Sequence, residues 1–292
     1  MDSLAILYIV MQGGLFGTTL IASRFGVGQF DPTTFIGLRL LLASLGHAAV
    51  YLFSRQQRHW PTDANLWREA TMLGILGTAL PTTCIVSSLQ YLSAGVASIL
   101  LTTGPAVTLL IAHFFLADEL LTRRKSLGVT LALGGALLLA VRGETGLTDI
   151  THANPLGYGL MAVAIIAGGA MSVYARKRMM NLDAFDVASI RMFTATLVIL
   201  PLSVVWAGLD LSRVNGQGYF SLVYAAIVGT FLGNLAAFYI IKRWGATPQA
   251  LSLYVIPVVA GLGGWLILGE EITAVMLIGI ALIAVGIGLI ER

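Results

Sequence analysis

Ten apolar runs, each about as long as a lipid bilayer is thick, constrain this 292-residue chain more than any other feature. A helix that crosses a hydrocarbon core of about 30 Å needs roughly 20 residues, at about 1.5 Å each. We number the predicted helices 1 to 10 in chain order. They cover approximately residues 4–23, 32–53, 70–90, 94–115, 124–141, 155–175, 184–206, 217–241, 246–268 and 272–290. Because the linkers are short, the sequence predicts an all-α integral membrane protein without room for a soluble domain.

The composition agrees with a chain whose main solvent is lipid. Hydrophobic residues make up 57% of the sequence and charged residues 11%, whereas soluble proteins carry roughly 25% charged residues. The net charge of +3 comes from short basic clusters between the apolar runs, so we expect membrane lipids as partners and no nucleic acid. Cys84 is the only cysteine, and neither a disulfide within the chain nor a metal site is expected. The first run reads as a retained helix, without a cleaved signal peptide.

Lysine and arginine are distributed unevenly between the two predicted faces of the membrane. One face carries only Arg24, Arg142 and Arg213. The other face carries twelve basic residues, which are Arg55, Arg58, Arg68, Arg123, Arg124, Lys125, Arg176, Lys177, Arg178, Lys242, Arg243 and Arg292. Since cytoplasmic loops retain positive charge, this asymmetry predicts that both termini are cytoplasmic, in an inner or plasma membrane.

The second half of the chain repeats the first at a constant offset of 152 residues. The matches include residue types that are rare inside membranes: Arg24 with Arg176, Asp31 with Asp183, Arg39 with Arg191, Thr78 with Thr230, Pro105 with Pro257 and Glu119 with Glu271. One residue is lost after Glu119, so Gly128 and Gly135 match Gly279 and Gly286. We therefore divide the chain into two repeats, residues 1–146 and 147–292.

Five helices per repeat is an odd number, so the second repeat must enter the membrane from the opposite side. Inverted repeats are related by a pseudo-two-fold axis in the membrane plane, and many secondary transporters use them to form outward-open and inward-open states. The sequence thus predicts ten transmembrane helices as two inverted five-helix repeats, with transport by alternating access.

The ends of the two repeats carry the motifs Leu116-Ala117-Asp118-Glu119 and Leu268-Gly269-Glu270-Glu271, followed by Leu127-Gly128 and Ile278-Gly279. In these stretches the chain resembles EamA-type members of the drug/metabolite transporter superfamily, and within it the aromatic amino-acid exporters of the YddG kind. The resemblance covers nearly the full length. It implies a central cavity lined by helices 1, 3, 4, 6, 8 and 9, with helices 5 and 10 as a peripheral pair. It also implies export of small metabolites, aromatic and other neutral amino acids first among them.

Helices 3 and 8 carry matching stripes of small, weakly polar residues at helical spacing. Such a stripe either packs helices closely or lines a cavity, and for the matched pairs Thr78 with Thr230 and Thr82 with Asn234 we favour cavity lining. The stripes are Gly74, Gly77, Thr78, Pro81, Thr82, Ile85 and Ser88 on helix 3, and Ala226, Gly229, Thr230, Gly233, Asn234 and Ala237 on helix 8.

Pro105 and Pro257 lie near the middle of helices 4 and 9. Proline removes one intrahelical hydrogen bond and clashes with the preceding turn, so both helices are expected to kink, either as plain structure or as gating hinges. Thr102 lies next to the first kink and is a candidate lining residue. Further candidates are Gln12 and Phe16 on helix 1, Tyr158, Ser172 and Tyr174 on helix 6, and Ser252 and Tyr254 on helix 9.

Arg39 and Arg191 are the charges placed deepest in the predicted helices, where an unpaired cation is expensive. Asp31 and Asp183, two turns earlier in each helix, are the expected partners, in an architectural clamp rather than a substrate contact. His47 is the one histidine well inside a helix. It could titrate near neutral pH, but it has no match in the second repeat, and a hydrogen-bonded packing role is favoured.

Other function classes find little support in the sequence. An intramembrane enzyme would need a nucleophile with its base, paired carboxylates or a metal cluster inside the helices, and the pattern of residues suggests none. There is also no phosphate-binding GxxxxGK loop for ATP-driven transport, and no cofactor is expected. A multidrug or other metabolite carrier of the same architecture remains an alternative, as does a channel.

Overall fold

A computed structural model describes residues 3–53, 59–117, 119–148, 154–244 and 246–291. Within these ranges the regular structure is entirely helical. Arg55, Arg58 and Arg292 of the charge count and Asp118 of the first repeat-end motif lie outside the described residues.

The described residues form ten long helices, as the apolar runs predicted. Nine contain a stretch long and apolar enough to cross a membrane, and the tenth contributes the shorter apolar stretch Ala274–Ile290. In order, helices 1 to 10 span Ser3–Val27, Pro32–Phe53, Ala64–Ser88, Ala94–Phe115, Arg123–Arg142, Pro155–Arg178, Ala184–Ala207, Gly216–Trp244, Ala246–Leu268 and Ala274–Glu291. The all-helical, ten-helix prediction is confirmed.

Helix 3 begins six residues earlier than its apolar run indicated. Its first turn is amphipathic rather than apolar, and Asp63 caps it by accepting a hydrogen bond of 2.9 Å from the Asn65 amide. The Trp67 indole also donates to the carbonyl of Pro61 at 2.9 Å, which fixes the entry of the chain into the helix. An Asp at this position satisfies a backbone N–H that the helix itself cannot.

Helices 3 and 8 each contain a π-helical segment, Ile75–Ala79 in helix 3 and Ala225–Leu232 in helix 8. The two segments hold the matched threonines Thr78 and Thr230, so the irregularity recurs in both repeats. π-Helical turns are rare and occur frequently at functional sites.

The two matched prolines have different effects on their helices. Helix 4 breaks at Thr102 and Thr103 into Ala94–Leu101 and Gly104–Phe115, just before Pro105, and the two threonine hydroxyls donate to the carbonyls of Ile99 and Leu100 at 2.6 and 2.7 Å. Helix 9, by contrast, continues as one α-helix through Pro257. The expected distortion is therefore visible as a break only in helix 4.

The 152-residue offset of the sequence is also a symmetry of the structure. Ser44 Oγ and Thr196 Oγ1 are equivalent residues of the two repeats, and they hydrogen-bond to each other at 2.8 Å between helices 2 and 7. Glycines of helices 5 and 10 pack reciprocally: Gly128 lies against Gly286, and Gly135 against Gly279. A two-fold axis brings residue i onto j and j onto i in this way, so a pseudo-two-fold axis relates the repeats.

The helices pack as two four-helix bundles and one separate pair. Helices 1, 2, 8 and 9 form the first bundle, and helices 3, 4, 6 and 7 form the second. Each bundle therefore combines helices from both repeats. The bundles join where helix 2 packs against helix 7 and where the first half of helix 4 packs against helix 9, while helices 5 and 10 pack on each other.

The contact between helices 5 and 10 predicts a sharp difference between two neighbouring glycines. A Cβ atom added at Gly135 would lie 2.8 Å from the carbonyl oxygen of Gly279, whereas a Cβ at Gly134 would meet no atom within 4 Å. Gly135→Ala should therefore lower the unfolding free energy by roughly 1–3 kcal/mol through overpacking, and Gly134→Ala should not. Thermal unfolding of both variants in detergent checks this, and equal stabilities would contradict the observed packing.

Candidate substrate pathway

Helix 8 is tied to helix 2 by the partly buried guanidinium of Arg39. Arg39 Nε donates to Thr230 Oγ1 at 2.7 Å, and Arg39 Nη1 donates to Ser23 Oγ on helix 1 at 3.1 Å. The Thr230 hydroxyl donates onward to the carbonyl of Ala225 at 3.1 Å, five residues back in the π-helical segment. Arg39, Thr230 and Ser23 all belong to the first bundle, so this cation is held entirely within its own bundle.

The matched arginine of the second repeat also reaches helix 8, but from the other bundle. Arg191 Nη2 on helix 7 donates to Asn234 Oδ1 at 2.8 Å. The Asn234 side chain is itself fixed, because its Nδ2 donates to the carbonyl of Thr230 at 2.5 Å. This bond therefore links the two bundles.

The expected pairing of these arginines with Asp31 and Asp183 is wrong for the described residues. Asp31 Oδ1 accepts from the Thr33 amide at 2.9 Å, and Asp183 Oδ1 accepts from the amides of Phe185 and Asp186, both at 3.0 Å. Both aspartates thus serve the first turn of their helices. Each lies eight residues before its arginine, about 12 Å along the axis at 1.5 Å per residue, so the arginines use neutral oxygen acceptors instead.

Several buried polar groups of the described residues have no hydrogen-bond partner. They include both amide atoms of Gln12, the Thr78 hydroxyl and Arg191 Nε. Gln12 is fully buried and Thr78 is 6% exposed. A buried polar group left unsatisfied costs about 1–3 kcal/mol, and such groups in a native protein indicate a ligand, a water molecule or a second conformation that satisfies them.

Two of the other predicted lining residues, Phe16 and Ser252, contact glycines that adjoin Asn234 and Gln12. Phe16 packs against Gly233, the neighbour of Asn234, because a Cβ at this glycine would lie 2.9 Å from the Phe16 ring. Ser252 is fully buried, and its carbonyl oxygen would lie 2.7 Å from a Cβ at Gly13, next to Gln12. Thr82 and Tyr254 are partly buried. The structure thus brings helices 1, 8 and 9 together around Gln12, Phe16 and Asn234.

His47 makes the hydrogen bond that its packing role predicted. Its Nδ1 lies 3.0 Å from Ser189 Oγ on helix 7, and its ring contacts those of Phe185 and Phe231. The residue is fully buried. His47 accordingly contributes to the interface between helices 2 and 7, on which the two bundles meet.

The Tyr158 hydroxyl is already bonded to the backbone of a neighbouring helix and linker. It donates to the carbonyl of Leu139 at 3.0 Å and also bonds the carbonyl of Glu144. Tyr158 therefore ties the start of helix 6 to the end of helix 5. Thr102 is likewise engaged locally, through its bond to Ile99 at the break in helix 4.

A cavity of about 460 Å³ that the sequence analysis missed lies on the predicted outer face, with Arg24, Gln29, Thr148 and Glu270 in its lining. Glu270 is 5% exposed; it accepts bonds from the amides of Ala94 and Gly95 at 2.9 and 3.4 Å and lies 3.8 Å from Arg24 Nε. Burial raises the pKa of the Glu270 carboxyl above its ordinary value, against these hydrogen bonds. The glutamate of the second repeat-end motif thus anchors the start of helix 4.

The opposite face carries a related ion pair. Arg176, the repeat equivalent of Arg24, lies 2.5 Å from Glu119, and Lys125 lies 3.6 Å from the same carboxylate. These cations lower the pKa of Glu119. The repeat match of Arg24 with Arg176 was the signal in the sequence that could have located both sites.

The arrangement defines a class of protein: a multi-pass membrane transporter built from two inverted five-helix repeats. The described residues contain no group of three His, Cys, Asp or Glu side chains placed to hold a metal ion. Residues 3–141 and 155–292 each match the EamA-like transporter family, and the chain belongs to this family. It is therefore a member of the drug/metabolite transporter superfamily, and a transporter rather than an enzyme.

Relatives resemble the chain over almost its whole length. An uncharacterized transporter of Archaeoglobus fulgidus is 24% identical, over 95% of each chain. The uncharacterized inner membrane transporter YedA of Escherichia coli is 27% identical, over 94% of this chain and 89% of YedA. A probable amino-acid metabolite efflux pump of Salmonella typhimurium is 25% identical, over 97% of this chain and 92% of the pump. One solved crystal structure shares the fold, with a TM-score of 0.65, 20% identity and coverage of 99% and 96%.

The two carbonyl partners of the Tyr158 hydroxyl predict a purely structural effect for its removal. Tyr158→Phe removes a buried hydroxyl that bonds two carbonyls, so the unfolding free energy should fall by about 1–3 kcal/mol, while transport per folded molecule stays unchanged. Tyr219→Phe is the control, because Tyr219 is 43% exposed. Unfolding in detergent and flux in liposomes measure the two effects. Lost flux with unchanged stability would show that Tyr158 belongs to the substrate pathway.

Proposed function

We propose that this transporter exports small neutral amino acids, aromatic ones included, by alternating access between the two bundles. The observation that carries the proposal is the Gln12 side chain, whose two amide atoms are fully buried without a hydrogen-bond partner in an otherwise apolar protein. Its N–H groups are donors for a carboxylate, and its oxygen is an acceptor for an ammonium group. Phe16, one turn further along helix 1, offers an apolar surface to a side chain.

The Salmonella relative, which is named a probable amino-acid metabolite efflux pump, supports the same substrate class. A carrier for drugs or other metabolites is the second candidate, since small polar residues and one aromatic ring do not by themselves demand an amino acid. A channel is less consistent with the two bundles, whose inverted-repeat origin suits exchange between two states.

Purified protein in liposomes provides the direct test. We expect saturable uptake of radiolabelled phenylalanine or tryptophan, accelerated when unlabelled substrate is present on the other side. Single-channel currents would replace the carrier proposal with a channel. Saturable flux of organic cations without any amino-acid flux would favour the drug carrier.

A substitution at Gln12 distinguishes a substrate-binding role of this residue from a packing role. Gln12→Leu removes an amide that has no partner, so stability should stay equal or rise, yet the KM for the amino acid should increase roughly tenfold through loss of a hydrogen bond or two. Met11→Leu is the control, because Met11 is an exposed neighbour on the same helix. If Gln12→Leu lowers the unfolding temperature and leaves KM unaltered, Gln12 is a structural residue.

The proposed direction of transport depends on the orientation that the basic residues predict. In a Cys84→Ser background, a cysteine at Arg178 should react with a membrane-impermeant maleimide only from the cytoplasmic side, and one at Thr148 only from outside. Both residues lie beyond or at the ends of helices. Labelling of both positions from the same side would contradict the inverted repeat.

A further inference from the structure

The two repeats are equivalent in sequence, but their arginines are bonded differently. By the 152-residue offset, Arg39 and Thr230 correspond to Arg191 and Thr78. Arg39 Nε and Thr230 Oγ1 are 2.7 Å apart, whereas Arg191 Nε and Thr78 Oγ1 are both buried without a partner. The bond between Arg39 and Thr230 is therefore formed, whereas the equivalent bond between Arg191 and Thr78 is not.

Thr78 and Arg191 lie on helices that pack against each other. Helix 3 packs against helix 7, and a Cβ at Gly74, one turn before Thr78, would lie 2.8 Å from the Arg191 carbonyl oxygen and 3.1 Å from its Cα. Residues four apart occupy the same helix face, so Thr78 lies on the side of helix 3 that faces Arg191. The Arg191 guanidinium donates through Nη2 to Asn234 instead.

The Arg191 to Asn234 bond differs in kind from the Arg39 to Thr230 bond. Arg39 bonds within the first bundle, whereas Arg191 crosses from the second bundle to the first. Arg191 lies seven residues after the first residue of helix 7, on the side that the basic residues predict to be cytoplasmic. The bond therefore holds the cytoplasmic halves of the bundles together.

The repeat symmetry predicts an equivalent of the Arg191 to Asn234 bond in the other repeat. Asn234 corresponds to Thr82 on helix 3, and Arg39 lies seven residues after the first residue of helix 2, as Arg191 does in helix 7. Thr82 belongs to the second bundle and is partly buried. A bond from Arg39 to Thr82 would join the outer halves of the bundles as Arg191 and Asn234 join the inner halves.

We propose that Arg39 and Arg191 form an alternating latch, which deepens and rests on the proposed function. In this structure Arg191 latches the cytoplasmic side through Asn234, while Arg39 is withdrawn to Thr230 and Ser23. In the opposite state Arg39 latches the outer side through Thr82, and Arg191 withdraws to Thr78. Arg191 Nε and Thr78 Oγ1, which have no partner here, are thus bonded to each other in the opposite state. Thr78 and Thr230, the residues to which the withdrawn arginines bond, each lie in a π-helical segment.

Two nearly isosteric substitutions should shift the states in opposite directions. Thr230→Val removes the resting position of Arg39 and should favour the inward-open state. Thr78→Val removes the resting position of Arg191 and should favour the outward-open state. Each change deletes one bond to a charged group, so the ratio of states should move by roughly ten- to a hundredfold. Thr83→Val is the matched control, because the Thr83 hydroxyl bonds its own helix at Ala79, at 2.8 Å.

Distances between spin labels at the ends of helices 3 and 8 report the states, with Gln90 just beyond the end of helix 3. One pair of labels replaces Gln90 and Gln217 on the outer side, and the other replaces Ala64 and Arg243 on the inner side, all in a Cys84→Ser background. We expect Thr230→Val to lengthen the inner distance and shorten the outer one, Thr78→Val to do the reverse, and Thr83→Val to change neither.

The result distinguishes failure of the latch from failure of the proposed function. If the unaltered protein shows saturable amino-acid flux but the two variants shift the distances in the same direction, or not at all, the latch is wrong and the function stands. If the distances respond as expected but no amino acid is carried, the latch holds for a transporter of another substrate. Should Thr230→Val not fold, Thr78→Val alone decides, because it removes no bond of this structure and must still favour the outward-open state.

Discussion

The structure depends on how a membrane protein satisfies polar groups that water cannot reach. In the hydrocarbon core each backbone and side-chain polar group needs a partner from the protein, which restricts the chain to helices and makes every buried charge expensive. Arg39 and Arg191 are both partly buried, and both donate hydrogen bonds to side chains of helix 8, Thr230 and Asn234. Helix 8 is thus held from both bundles at once.

The same constraint explains the use of threonine, serine and glycine. Hydroxyls return to a carbonyl of their own helix, as Thr102 does, or bond a symmetry-equivalent residue, as Ser44 and Thr196 do. Glycine permits the backbones to approach where no polar bond joins them, as Gly128 and Gly286 show in helices 5 and 10. Small residues therefore determine how closely helices pack in lipid, a role that large apolar side chains have in a water-soluble core.

The sequence predicted the helices and their repeat well, because hydropathy and an offset of matched residues are one-dimensional signals. It failed where a side chain had to choose among partners in space. Arg39 and Asp31 are two turns apart in the sequence, but the aspartate was needed at the helix end. Nothing in the sequence indicated that the Tyr158 hydroxyl bonds carbonyls of helix 5 and of the following linker. Pro257 shows the same limit, since its helix continues where that of Pro105 breaks.

An inverted repeat makes asymmetry informative. Two copies of one fold with the same contacts throughout would describe a single symmetric state, open to neither side or equally to both. A transporter that opens to one side at a time must therefore break some equivalent contacts, and these are the contacts that differ between its states. In this chain Ser44 and Thr196 lie on the axis and remain bonded, whereas the arginines away from the axis are bonded unequally. The groups left unsatisfied in one copy, Thr78 and Arg191 Nε, are accordingly where the opposite state should find its stabilising bonds.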